Sequence, residues 1–288
     1  KQKNINLNLE TSGGNIAVID IRGESILTTS GGDMKLKNMM GRIEARTSGG
    51  DIEVSGTEGL IRVHTSGGDI AIENSDGHFN SSTSGGDLYF LHLTGNIDAQ
   101  TSGGSISLEN IEGESINIRT SGGDIAAEDI SSNLTAMTSG GEIDLDNIKG
   151  HVDVTTSDGD IDARQITGSL NCHTSGGDID ADDIIGTVNA STTNGDIEME
   201  LSYDSSIKEY SFNLDTRSGD IFIRVPTGLP VNINAEIFGT STAQELNSDI
   251  PLTISSTENR VTGIGKIQNG TIPLHLRASL GTITIKQD

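Results

Sequence analysis

The chain has 288 residues, a net charge of −24, 37 glycines, eight aromatic residues and no tryptophan. Compact enzymes usually anchor their cores with more aromatics, and the charge disfavours nucleic acid and anionic membranes as partners. The single cysteine, Cys172, excludes an intrachain disulfide and reads as a small buried hydrophobe.

Lys1 to Glu10 reads as a lead-in strand, with Ile5, Leu7 and Leu9 alternating. The chain starts at Lys1 without Met, so an upstream segment is expected to have been removed. No signal peptide or apolar membrane-length run is visible in the sequence itself.

From Thr11 a phrase of the type Thr-Ser-Gly-Gly-Asp-Ile recurs. It opens at Thr11, Thr29, Thr47, Thr65, Thr83, Thr101, Thr120, Thr138, Thr156, Thr174, Thr192 and Thr216. The step is 18 residues, except for one of 19 before Thr120 and one of 24 before Thr216. So short a period marks a solenoid, in which one repeat is one rung and cannot fold alone. We count each opening Thr as position 1.

Positions 6 and 8 are apolar, as in Ile70 and Ile72, and so are positions 15 and 17, as in Ile61 and Val63. Residues two apart share a strand face, so the spacing predicts two short inward-facing strands per rung. Position 11, as in Met39 and Ile111, is a fifth apolar site at a corner. Ser-Gly-Gly at positions 2 to 4 predicts a turn with positive φ. Asn or Asp at position 10 and Gly at position 13 predict a second turn. Like strands stack in parallel, about 4.8 Å apart. The fold expected is an all-β, single-stranded parallel β-solenoid. Right-handed winding follows from the preference of parallel crossovers.

The pattern breaks after Met199. Residues 1–200 are read as regular rungs with the lead-in strand. Residues 201–288 are read as wider, irregular rungs with a C-terminal β cap over the last edge, the whole forming one elongated unit. Leu201 to Asp215 is an insertion, and Thr216 restores the phrase for one rung. Strands are expected at Val231 to Ile237, Thr271 to Leu276 and Thr282 to Ile285, with Phe238 to Gly263 irregular. Ser279-Leu280-Gly281-Thr282-Ile283 looks like a worn copy of the phrase.

Position 5 carries a column of acids that includes Asp51, Asp69 and Asp87. Stacked carboxylates about 5 Å apart repel. The expected relief is hydrogen bonding from turn amides or Ser hydroxyls; a line of cation sites on Asp51, Asp69 and Asp87 is the weaker reading. Thr at position 1 should face inward, its hydroxyls forming a ladder. The six histidines show no zinc spacing and read as exposed and unpaired. Elbow, phosphate-loop and metalloprotease motifs are absent, so neither catalytic residues nor a cofactor are expected. The candidates for ligand contact lie where the repetition breaks, at Tyr89 and His92 on one rung and at Tyr203 and Tyr210 in the insertion.

The tandem Thr-Ser-Gly-Gly-Asp-Ile phrases, followed by an irregular end with Gly-Thr-Ile-Thr-Ile, resemble the bacterial adhesin-like β-solenoid family, whose members were long known only as domains of unknown function. The resemblance covers nearly the whole chain. It implies an exported, cell-envelope or secreted bacterial protein and brings no catalytic residues. The function expected is a non-enzymatic binding or scaffold module for polysaccharide, cell-wall polymer or a surface protein, without membrane insertion. The alternatives are a carbohydrate-active β-helix enzyme, which needs a walled acidic cleft, and a calcium-stabilised surface repeat.

Overall fold

The structure is a computed structural model that describes residues 4–240 and 242–288. It divides into two compact units, Lys1–Gly141 and Glu142–Asp288. Among the described residues the structure is all-β apart from one 3-10 turn, Ala243–Glu245, and the parallel stacked coils form a β-solenoid.

In the first unit every pairing between rungs is parallel and in register at a step of one repeat. Ile52 pairs with Ile70 and Ile70 with Leu88. On the second strand Ile61 pairs with Phe79 and Phe79 with Ile97. Positions 6, 8, 15 and 17 are buried, as in Ile70, Ile72, Ile61 and Val63. Identical parity in each rung puts like side chains one above another, so the core is a set of apolar columns. At position 11, Thr57 and Ser75 replace the usual hydrophobe and stay satisfied: Thr57 Oγ1 donates to Ser75 Oγ at 3.0 Å, and Ser75 Oγ donates to the Glu73 carbonyl at 2.8 Å. The lead-in strand runs over Leu7–Glu10 and pairs with residues 25–28; the expected start of that strand at residues 1–3 lies outside the described residues.

The position-10 corner is as predicted. Asp20, Asn38, Gly56, Asn74, His92, Asn110 and Asp129 all hold φ between 49° and 62°. In the first three rungs this corner separates two strands, such as Ile52–Ser55 and Glu58–His64. From Ile70 onward one strand runs through it, as in Ile70–Ser82, because pairing continues across the corner at Ser75↔Leu93 and Asp76↔Thr94. The 19-residue step is absorbed as a bulge after Glu112. Asn96 Oδ1 accepts from both Glu114 N–H and Ser115 N–H there, each at 3.2 Å.

The Gly-Gly corner works differently from the prediction. The position-3 and position-4 glycines of this unit do not have positive φ. What position 4 requires is close backbone approach: a Cβ on Gly68 would sit 2.1 Å from the Gly50 carbonyl oxygen. Position 3 is roomy, since a Cβ on Gly67 meets nothing nearer than 3.7 Å.

In the second unit the regular stacking continues, with Ile143↔Ile161, Ile161↔Ile179 and Ile179↔Ile197. The layers then leave chain order. Ser211–Ser218 pairs with Ile272–Ser279, which pairs on its other side with Val231–Phe238. Ile221–Val225 pairs with Ile283–Gln287, which pairs in turn with Leu246–Ser248. The C-terminal segment is therefore an internal layer, and the cap expected within residues 201–288 is formed by an earlier stretch. The outer edge is covered instead by an antiparallel hairpin, Leu252–Thr257 with Arg260–Lys266, laid on Val231–Phe238. This hairpin falls in the stretch read as irregular; it exposes Ile254 and Ile264 among Ser and Thr side chains, and its turn, Glu258-Asn259, lacks glycine. The worn phrase takes its expected place, with Gly281 stacked on Gly219 and Ile283 paired with Ile221.

Candidate functional site

The Thr, Gly and Asp of each phrase form one hydrogen-bonded corner. Thr65 is buried, its Oγ1 donating to the Gly50 carbonyl of the preceding rung at 2.9 Å and accepting from Gly68 N–H at 3.3 Å. The same bridge recurs at Thr83, Thr101 and Thr174, whereas Thr192 keeps only the donation, to the Gly177 carbonyl, because Gly195 N–H donates to the Ser218 carbonyl. The inward orientation matches expectation. The hydroxyls, however, are turned to the main chain and not to one another, each of these donating to the carbonyl of the glycine corner in the preceding rung.

Outside this corner stands the acidic column. Asp51 Oδ1 accepts from Asp69 N–H at 2.9 Å, Asp69 Oδ1 from Asp87 N–H at 2.8 Å and Asp87 Oδ1 from Ser105 N–H at 2.8 Å. In the second unit Asp160, Asp178, Asp196 and Asp220 do the same for the next layer at 2.7 Å, the last for Thr282 N–H. A charge-assisted bond to the main chain offsets part of the repulsion between neighbours. Each carboxylate thus has one oxygen committed to the fold. Among the described residues no group of three or more His, Cys, Asp or Glu side chains is placed to hold a metal ion.

A denser acidic face occurs in the second unit, where position 7 stacks Asp144, Asp162, Asp180 and Glu198 in register. Partial burial raises the Asp180 pKa above the usual carboxylate value, and Asp182, Glu198 and Asp162 add to this.

The aromatic candidates divide. Tyr89 is 46% exposed, and its hydroxyl donates to Asp87 Oδ2 at 3.0 Å, a bond that raises the phenol pKa. His92 occupies the left-handed corner of the same rung. It lines an open groove of about 530 Å³ with Asp20, Arg22, Asn38, Asn74 and Asp76. Tyr89 does not line that groove, so the two residues are not brought into one site. In the insertion Tyr203 is 40% exposed and leans on Tyr210, with ring centroids 5.6 Å apart. Tyr210 is buried, which corrects its expected role as an exposed contact. Its hydroxyl accepts from Asp204 N–H at 2.9 Å and donates to the Asp204 carbonyl at 3.0 Å, and its ring stacks toward Phe212. Tyr210 pins the insertion to the core, and Tyr203 is what it presents.

The histidines are not all unpaired. His64, His151 and His173 each place Nδ1 against the serine one rung further in the same column: Ser82 at 2.8 Å, Ser169, and Ser191 at 2.9 Å. Equal positions stack, so a His above a Ser meets it automatically. Cys172 is buried, and burial pushes its thiol pKa strongly up, consistent with a packing role.

Sequence reading by columns did not single out the face of positions 14, 16 and 18. There Arg42 pairs with Glu24 at 3.5 Å and Arg46 with Glu44 at 2.9 Å. Two recesses indent this face further along, sharing Arg62 and Asn80. The available signal was charge segregation. Residues 64–200 contain 25 of the 42 acidic residues and three of the 18 basic ones, whereas residues 1–63 contain eight of each.

No helix among the described residues is long and apolar enough to cross a membrane. No curated protein and no solved structure matches the chain. Residues 73–201, somewhat less than half of the chain, match the family described as Toastrack DUF4097.

Proposed function

We propose that this chain is a non-enzymatic, adhesin-like binding or scaffold module of the bacterial cell envelope or of a secreted protein. Its partners would be long polysaccharides, cell-wall polymers or surface proteins. The observation that carries this reading is the in-register stacking of outward positions. Glu44, Arg62, Asn80 and Asp98 follow one another at single-rung steps, so a contact offered by one rung is followed by another about 4.8 Å on. Weak contacts repeated along a polymer add up through effective concentration. The recesses are open on one side and shallow, which suits a chain lying along the surface more than a small substrate sealed from water.

The test is a glycan and cell-wall polymer array probed with the purified chain, together with fractionation of the producing cells. Binding that strengthens with polymer length, and recovery outside the cytoplasm, are expected. Turnover of a polysaccharide that is lost on mutating a few clustered acids would overturn the non-enzymatic reading. Absence of any polymer binding would overturn the polymer-binding role.

A further inference from the structure

We infer that the face around Arg62 is a glycan site for a single carboxylate-bearing sugar set among neutral sugars. This rests on the polymer-binding reading above and names its face and ligand class. Arg62 is exposed and, unlike Arg42 and Arg46, makes no ion pair among the described residues. An unpaired guanidinium keeps its planar fork of donors free for a carboxylate. It borders a recess of about 150 Å³ together with Glu44, Arg46, His64, Asn80 and Ser82. The Glu44 carboxylate is already neutralised there by Arg42 and Arg46, at 3.8 and 2.9 Å, which leaves Arg62 as the free cation of the recess among the described residues. The His64 imidazole is held there by Ser82 through Nδ1. The volume suits one acidic group and little more.

Arg62 and Asn80 also open onto a second recess of about 420 Å³, bordered by Asn96, Asp98, Ser115 and Asn117. Carboxamides and hydroxyls both donate and accept, which is the pairing a neutral sugar ring requires. Asp98 sits two rungs beyond Arg62 in the same column, about 10 Å away. A second ligand carboxylate arriving there would face a like charge, as would any polyanion continuing into the acidic stretch that follows. The trough therefore favours one carboxylate at Arg62 and neutral rings over Asn80, Asn96 and Asn117. It disfavours homopolymeric uronates and nucleic acid.

Calorimetric titration of the full chain tests this with three probes: glucuronate-substituted xylotetraose, plain xylotetraose and tetragalacturonate. The substituted probe should bind tightest, with affinity falling as salt is raised. Arg62→Ala should weaken it about tenfold, the effect of losing one charge-assisted contact, with an unchanged melting temperature because the side chain is exposed. Arg62→Lys should fall between. Asp98→Asn should selectively improve tetragalacturonate. If plain xylotetraose binds equally well, or Arg62→Ala binds the substituted probe unchanged, the site is refuted while the polymer-binding reading stands. Tightest binding of tetragalacturonate, or of an oligonucleotide control, refutes the single-carboxylate specificity. Failure of all three probes, with an array that does bind other polymers, also refutes the site; failure of every polymer refutes both.

Discussion

A Cβ built on Gly68 would lie 2.1 Å from the carbonyl oxygen of Gly50, one rung below. The corner can stack at strand spacing only if position 4 has no side chain. Position 4 is glycine in every phrase, whereas position 3 holds Asp158 in one repeat and Asn194 in another.

Gly68→Ala is therefore expected to cost about 3 kcal/mol or more, because rigid backbone stands in the way of the added methyl. Gly67→Ala is expected to change stability by less than about 1 kcal/mol, since the space is open and φ is ordinary. Urea unfolding of the two variants checks this. Equal losses would show that the Gly-Gly pair serves turn flexibility rather than stacking.

A second expectation concerns the acidic column. Asp178 accepts from Asp196 N–H at 2.7 Å while standing between two other carboxylates. Asp178→Ala removes the acceptor and should lower the melting temperature by ~2–4 °C, equivalent to about 1 kcal/mol. Asp178→Asn keeps an oxygen in place and relieves repulsion, so its melting temperature should match or exceed that of the parent. Millimolar calcium should change the parent little. A calcium-induced rise of many degrees, reversed by chelator, would show that these carboxylates serve a cation instead.

These cases show what the sequence makes legible. Inward and outward positions follow from parity alone, so the columns through Ile70 and Ile61 and the left-handed corner at Asn74 can be read from the period. What cannot be read is contact between rungs. The cause of the glycine at position 68, the Thr65 bridge and the His64–Ser82 pair all depend on what lies one layer away. The order of the last layers is also hidden, because Ile272–Ser279 carries the same alternation whether it ends the stack or lies inside it. The burial of Tyr210 rests on its two bonds to the Asp204 main chain, which no spacing announces. Arg62 carries no column signal, because it stacks between Glu44 and Asn80 and resembles neither.

Titration of Asp180 should be visible in stability. Its folded pKa is raised, chiefly by burial and then by Asp182, Glu198 and Asp162. The protonated form is thus favoured in the fold. Its contribution is fully present below the unfolded carboxylate value and is lost as pH rises through the raised folded value. Asp180→Asn should therefore melt higher than the parent at neutral pH, with the gap closing as the solution is acidified into the carboxylate range. A constant gap across that range would show that the substitution acts through packing instead.

The last expectation follows from the position of the C-terminal segment. In a simple solenoid, removing the final rung costs one interface and leaves the rest standing. Here residues 272–287 lie between earlier layers and pair on both sides. They bring Leu274, Leu276, Ala278, Ile283 and Ile285 into the core, all buried. Deleting 272–288 would separate Val231–Phe238 from Ser211–Ser218 and expose apolar columns on both. Deleting the hairpin 252–266 would uncover one side of one strand, Val231–Phe238. The C-terminal deletion should therefore be the more damaging of the two, although the chain it leaves loses only its tail. Limited proteolysis with mass spectrometry, supported by circular dichroism melts, reads this out. Early cleavage between residues 201 and 271 is expected in the C-terminal deletion, and protection of 211–225 in the hairpin deletion. The opposite order would show that the hairpin, and not the inserted C-terminal layer, holds this end of the second unit together.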